Sequence, residues 1–349
     1  MALVDVKWAP GYVYETETEI SALPQEISFA MTGTRMRLVE GGAFEMGLST
    51  QRWQEFMDRV IACAGSELPD LPPWEDSRHP RSVFGKSKDG SLCVHLPSVR
   101  DIVGHFVDNP GITTPHRVYL DPYYIDVRPA SEFEYDCFFT DLKARNGCLL
   151  GRCKRDSEYD QLALQWSRPP RKPHESKPAK NLLWHAADAY AWWRGAQLPT
   201  EAQWEKAARG CDGALFPWGD ELPSEPSHHL YAKAEDWQYR GDAGPKSSCG
   251  CHQMVVGIWE WCAEWFCPTA YAELPEANPN ANFLPEYLWT VDWGTGDNRW
   301  RRSLRGGQDL YGFVYPCANR WHHSPIYCND DFGVRCVLPV PVGESCLGT

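Results

Sequence analysis

The sequence predicts an α+β fold with few helices, short strands and long irregular connections. Three observations carry that expectation. Two pairs of strand-length apolar runs lie at 36–47 and 118–126. Capping-box signatures at Ser131 and Thr200 open two of the few helical stretches. After Gly210 the chain reads as short strands and loops, with no internal repeat.

In chain order, residues 1–35 read as an N-terminal arm packed along the domain. Met36 to Gly47 gives two strands joined at Gly41-Gly42, a hairpin signal. Residues 50–115 are mixed: a helix over Gln51 to Ala64, then a Pro-, Asp- and Ser-rich insertion or long loop. Val118 to Asp126 is the next strand pair. Ser131 and Glu134 cap a helix running to about Arg145 and ending at Asn146-Gly147. Residues 150–180 are a polar loop, followed by a helix from His185 to Arg194. Thr200 and Gln203 form the second capping box. Trp204, Ala207 and Ala208 then give one buried stripe before Gly210.

Composition narrows the function. Hydrophobic residues are 43% and charged residues 23%, too apolar for a disordered chain. The net charge of −13 disfavours binding to phosphate backbones, so no nucleic-acid partner is expected. No run approaches the ~20 apolar residues of a membrane span, and the first residues lack a secretory leader. The expectation is synthesis in the cytoplasm. Fourteen cysteines read mainly as small buried apolar residues. Cys249, Cys251 and His252 tempt a metal reading, but their spacing is not the paired C-x2-C of a structural zinc site, and a plain loop or a local disulfide fits as well. Thirteen of the seventeen tryptophans fall from Trp184 onward, most of them core, with exposure reserved for those near the C-terminus.

These motifs together resemble the formylglycine-generating-enzyme (sulfatase-modifying factor) family, a variant of the C-type lectin fold. The carriers are Gly41 to Gly47, Leu120 to Asp126 with Ser131 and Glu134, Leu198 to Gly210, Phe216 to Gly219 and Gly257 to Trp265. Leu304-Arg305-Gly306-Gly307, Ala318-Asn319-Arg320 and Gly333-Val334-Arg335 complete the series. The resemblance implies one domain over 36–340, with insertions near 50–110 and 270–300 and a tail at 341–349.

A fold does not carry a function. Formylglycine-making members hold copper through two cysteines just after Arg-Gly-Gly, because a soft ion needs soft thiolates. Here Gln308 to Pro316 contains no cysteine, and Cys317 comes late, where a buried structural thiol is expected. The His-x3-His-x-Glu motif of related iron-dependent sulfoxide synthases is also missing from the eleven histidines. Ile258 replaces the Asn of the family's Gly-Asn-x-Trp-Glu segment, leaving Glu260 as a weak calcium ligand, better read as a buried carboxylate accepting backbone N–H bonds. No cofactor is expected beyond, at most, a structural calcium ion. The alternative is a copper oxidase or a non-haem iron sulfoxide synthase.

Within 304–338 the motif residues Arg305, Gly306, Gly307, Arg320, Gly333 and Arg335 read as scaffold. Between them lie Asp309, Tyr311, Phe313, Tyr315, Trp321, His322, His323, Ile326, Tyr327, Asn329 and Asp330. Rigid rings mixed with adaptable polar groups are the composition of a binding surface. The pattern is similar to the variable proteins of diversity-generating retroelements, in which adenine mutation of Asn codons near the gene's end yields this alphabet. That resemblance implies a non-catalytic monomer binding a protein or other macromolecule, displayed on a virus particle or a cell surface. The expected arrangement is one solvent-facing patch over inward-pointing Arg305, Arg320 and Arg335.

Overall fold

The computed structural model describes residues 2–16, 22–64, 84–86, 92–94, 114–144, 167–222, 246–255, 257–283, 301–307 and 315–341. Strands β1 (Ala2–Asp5), β2 (Tyr12–Thr16) and β3 (Glu26–Phe29) run antiparallel, each to the next, onto β4 (Thr34–Val39). Strands β1 to β3 are therefore part of the main sheet, where an arm laid along the domain was expected over residues 1–35. Tyr12, Ile27, Phe29 and Met36 explain this, because all four are buried in one small apolar cluster that the sheet needs.

The chain continues through β5 (Gly42–Met46), α1 (Thr50–Ala64), the short pair β6 (Phe84–Lys86) and β7 (Leu92–Val94), then β8 (His116–Leu120) and β9 (Tyr123–Asp126). The strands expected at 36–47 and 118–126 form, but neither pair folds back as a hairpin. Instead β4 pairs with β9 and β5 with β8, so the two segments make one long antiparallel ladder bent in the middle. The register is the same on both sides of the bend: Val39 faces Tyr123 and Gly42 faces Leu120. The Gly41-Gly42 turn is a kink. A Cβ on Gly41 would lie 2.9 Å from Pro122 Cδ, and Gly42 takes φ +136°.

Three longer helices follow, α2 (Glu132–Ala144), α3 (Trp184–Trp193) and α4 (Glu201–Arg209). Both capping boxes are present: Ser131 with Glu134, and Thr200 with Gln203. Next come β10 (Trp259–Trp265), the single turn α5 (Ala270–Glu273), a 3-10 turn (Ala281–Phe283), β11 (Arg302–Gly306), β12 (Trp321–His323), β13 (Phe332–Gly333) and β14 (Val337–Pro339). The six-stranded sheet has the order β1-β2-β3-β4-β9-β14, and the four-stranded sheet the order β12-β11-β10-β13. Few helices, with one antiparallel sheet and one sheet mixed only at its β10–β13 pair, make the chain α+β.

The main core lies between the second sheet and α4, whose Trp204, Ala207 and Ala208 are fully buried. The same helix also sends two carboxylates inward. Glu201 accepts from Arg320 Nε at 2.7 Å, Arg320 Nη2 at 2.9 Å and Ser303 Oγ at 2.6 Å. Glu205 bonds Arg305, Arg209 Nη1 at 2.8 Å and the Gly47 N–H at 2.7 Å. Arg335 holds Glu260, and Arg194 holds Asp126 through two 2.8 Å bonds. Glu260 thus bonds a guanidinium and the Trp204 indole N–H, not the backbone N–H groups expected for it. Removing one member of such a buried pair costs about 3–5 kcal/mol, since the other is left uncompensated.

Glu264 accepts the Glu201 and Ala281 N–H groups, and burial together with the neighbouring Glu201 charge pushes its carboxyl up to about 7. Glu201 is held low, to about 2, because Arg320 and Arg305 outweigh its own burial. A raised folded-state value means stability is present while Glu264 is protonated and is lost as pH rises through 7. Thermal midpoints should therefore fall between about pH 4.5 and 7, by the equivalent of about 3 kcal/mol, and level off above that, and Glu264→Gln should flatten that slope. An unchanged slope in the variant would assign it elsewhere.

The second sheet yields a separate expectation. Gly307 has φ +70°, and a Cβ there would run into the Trp259 indole; Gly33 shares that φ with nothing within 4 Å. Urea unfolding should show Gly307→Ala costing about 2–4 kcal/mol and Gly33→Ala only about 1 kcal/mol. Equal costs would mean that the indole moves aside.

Candidate functional site

β11 ends on Gly306-Gly307, and β12 lies beside it with Trp321 opposite Leu304, His322 opposite Ser303 and His323 opposite Arg302. Strand alternation divides the three ring residues between two faces. His322 turns toward Phe266, its ring centroid 4.3 Å away. Burial and the Arg301 charge drive its imidazole down to about 3, so it is neutral at pH 7. His323 stacks on Tyr327 at 3.8 Å and meets Phe332 edge-on at 5.7 Å. Burial, with Arg301, lowers His323 to about 4. Trp321 is half-buried beside Trp259, 6.0 Å between centroids.

From this anchored row the chain turns outward. Ile326 is 67% exposed and Tyr327 44%, Asn329 is half-exposed and Asp330 exposed. Burial and the Asp330 charge push the Asp331 carboxyl up to about 6. Ile326, Tyr327 and Asp330 are therefore the exposed members of this segment, and Trp321, His323 and Asn329 are partly buried.

Two residues expected in the patch belong elsewhere. Tyr315 is 8% exposed and packs on Trp259, 5.9 Å away, so it is core. His322 is wedged against Phe266. Asp309, Tyr311 and Phe313 lie outside the described residues. Beneath the patch Arg305, Arg320 and Arg335 are fully buried, and a Cβ on Gly333 would lie 2.6 Å from the Ala179 carbonyl oxygen.

The donor set does not fit the copper site of the resembling enzymes. Cys317 is fully buried, burial pushes its thiol up to about 12, and it is one cysteine where those enzymes use two. Cys249 and Cys251 are free thiols. Among the described residues no three His, Cys, Asp or Glu side chains gather as metal ligands.

Sequence reasoning missed a groove of about 730 Å³ between α3, the end of β10 and the 3-10 turn. Trp192, Trp265, Asp188 and Asn280 line it, and Arg302 is clamped between Trp184 and Trp265 at 3.7 and 3.6 Å. The only signal was the pair Asn280 and Asn282, which falls in a stretch read as an insertion.

Among the described residues no helix is long and apolar enough to cross a membrane. The sulfatase-modifying factor enzyme 1-like domain matches residues 87–340. The formylglycine-generating enzyme of Streptomyces coelicolor is 28% identical over 310 residues, which is 74% of this chain and 90% of that enzyme. PvdO from Pseudomonas aeruginosa superposes with a TM-score of 0.55 at 15% identity, over 91% of this chain and 99% of that one. Treponema denticola variable protein 1 gives a TM-score of 0.39 at 14% identity, over 65% and 87%. The fold is that of the formylglycine-generating-enzyme variant of the C-type lectin fold, and the chain belongs to the sulfatase-modifying factor enzyme 1-like family.

Proposed function

We propose that this chain is a non-catalytic, ligand-binding member of its family, presenting the segment from Leu304 to Arg335 to a protein or another macromolecular ligand. One observation carries the reading. Where the family's copper enzymes place two cysteines, Gln308 to Pro316 has none, and Cys317 is a buried, protonated thiol. Without thiolates a soft ion has no first ligands there.

The chemistry of the outer side supports binding. The neutral His323 imidazole and the Trp321 indole, backed by Phe332 and Trp259, belong to the same segment as exposed Ile326, Tyr327 and Asp330. Rigid rings lose little entropy when covered, and a polar rim gives selectivity. Display on a particle or a cell surface accords with such a role. The catalytic reading is favoured by the 28% identity to a formylglycine-generating enzyme, so the test must separate the two.

Protein purified without chelators, given one equivalent of copper(I) and desalted, should keep neither copper nor iron at stoichiometric level. One retained copper per chain, lost in Cys317→Ser, would sink the binding reading. In the gene's neighbourhood we expect a near-copy of the segment encoding Leu304 to Arg335, differing where the copy has adenine. A neighbourhood lacking that copy would argue against a diversified surface.

A further inference from the structure

The groove between α3 and the end of β10 shares no residue with Leu304 to Arg335 and has no part in the reading above. Its walls come from the last turns of α3, the loop from Gly195 to Leu198, the 3-10 turn and the first residue of β11. At about 730 Å³ it falls within the range of sites that hold small organic ligands, about 300–1,000 Å³.

The lining is specific in its chemistry. Trp192 and Trp265 are half-exposed indoles. The Arg302 guanidinium covers Trp265 at 3.6 Å and donates from Nη1 to the Ala263 carbonyl at 2.7 Å and Asn282 Oδ1 at 3.2 Å. That arrangement fixes both the indole and the cation. Arg302 Nε finds no hydrogen-bond acceptor. Asp188 supplies the opposite charge near it. Gln197 stands exposed at the rim, and Asn280 uses its oxygen on the Asn282 N–H.

Two ligand classes can be set aside on these contacts. A peptide adding as a strand needs free backbone groups, but the Ala263 carbonyl is taken by Arg302 and Asn282, and the Trp265 N–H by Asn282 Oδ1 at 3.0 Å. A polyanion would meet one carboxylate for one cation, on a chain of net charge −13. What matches is a ligand with flat C–H faces and vicinal hydroxyls. Indole faces take polarised C–H groups, and a primary amide donates and accepts from one side chain, as a pair of hydroxyls requires.

We propose that this groove binds a neutral oligosaccharide of linked pyranose rings. The indoles of Trp192 and Trp265 carry the ring faces, and Asp188, Gln197 and Asn280 take the hydroxyls.

Calorimetric titration of the full chain with cellohexaose, chitohexaose and mannohexaose tests this, each sugar raised to about 5 mM. At least one should bind with a Kd between about 10 μM and 1 mM. Trp192→Ala and Gln197→Ala should each weaken that binding about fivefold or more with an unchanged melting midpoint. Tyr327→Ala, on the other surface, should leave it unaltered. Binding of none of the three sugars overturns the proposal, as does binding that survives both groove substitutions or is lost with Tyr327→Ala. Gln197 is exposed, so its variant keeps the test decisive if Trp192→Ala unfolds.

Discussion

The Glu201 carboxylate is the point on which the C-terminal half of the molecule depends. It sits in the first turn of α4, directly after the Thr200 cap, where the helix's positive end favours a negative charge. From there it holds Arg320 through Nε and Nη2, takes the Ser303 hydroxyl, and lies 3.4 Å from Arg305 Nη1. One side chain thereby ties a helix to β11 and to the segment entering β12. Glu205, one turn on, grips Arg305 and reaches the Gly47 N–H beyond β5. Burying these charges is costly in itself, so the network adds less stability than its bond count suggests. What it supplies is a penalty against mispacking, because any shift that parts a pair strands a charge in the core.

That arrangement sets the terms for the surface above it. Arg320 immediately precedes β12 and Arg335 lies just beyond β13, so the chain from Trp321 to Gly333 is pinned at both ends by buried guanidinium groups. Between the pins, Ile326, Tyr327 and Asp330 are exposed, Tyr327 with one face stacked on His323. The pins fix how the segment packs, and the proposed recognition falls on the span between them. Trp321, His322 and His323 are intermediate. They belong to a strand and pack on Trp259, Phe266 and Phe332, so they give the span a rigid root.

Local signals in the sequence were legible where their physics is local. Both capping boxes needed only residues three apart, and the α4 stripe needed only helical spacing. The strands at 36–47 and 118–126 were legible as strands, but their partners were not. A Gly-Gly pair between apolar runs reads the same whether the chain reverses or merely bends, and only the long-range ladder decides. The partner of Glu260 was hidden for a similar reason: Trp204 lies 56 residues before it and Arg335 75 after. His322 was misplaced because alternation separates two faces without saying which faces solvent, and here both faces of β12 meet aromatic neighbours; Tyr315 lies outside any strand and is buried by its long-range contact with Trp259.

Burial also decides which side chains can do chemistry at neutral pH. Cys251, Cys262, Cys317 and Cys336 all lie in the core, where desolvation holds their thiols protonated and inert. The same force keeps His322 and His323 uncharged, although Asp330 and Asp331 stand a few residues away. Kept neutral, both rings remain apolar at pH 7. An apolar aromatic centre beside an acidic rim is the distribution in which water is shed from the middle of a contact and selectivity is set at its edge.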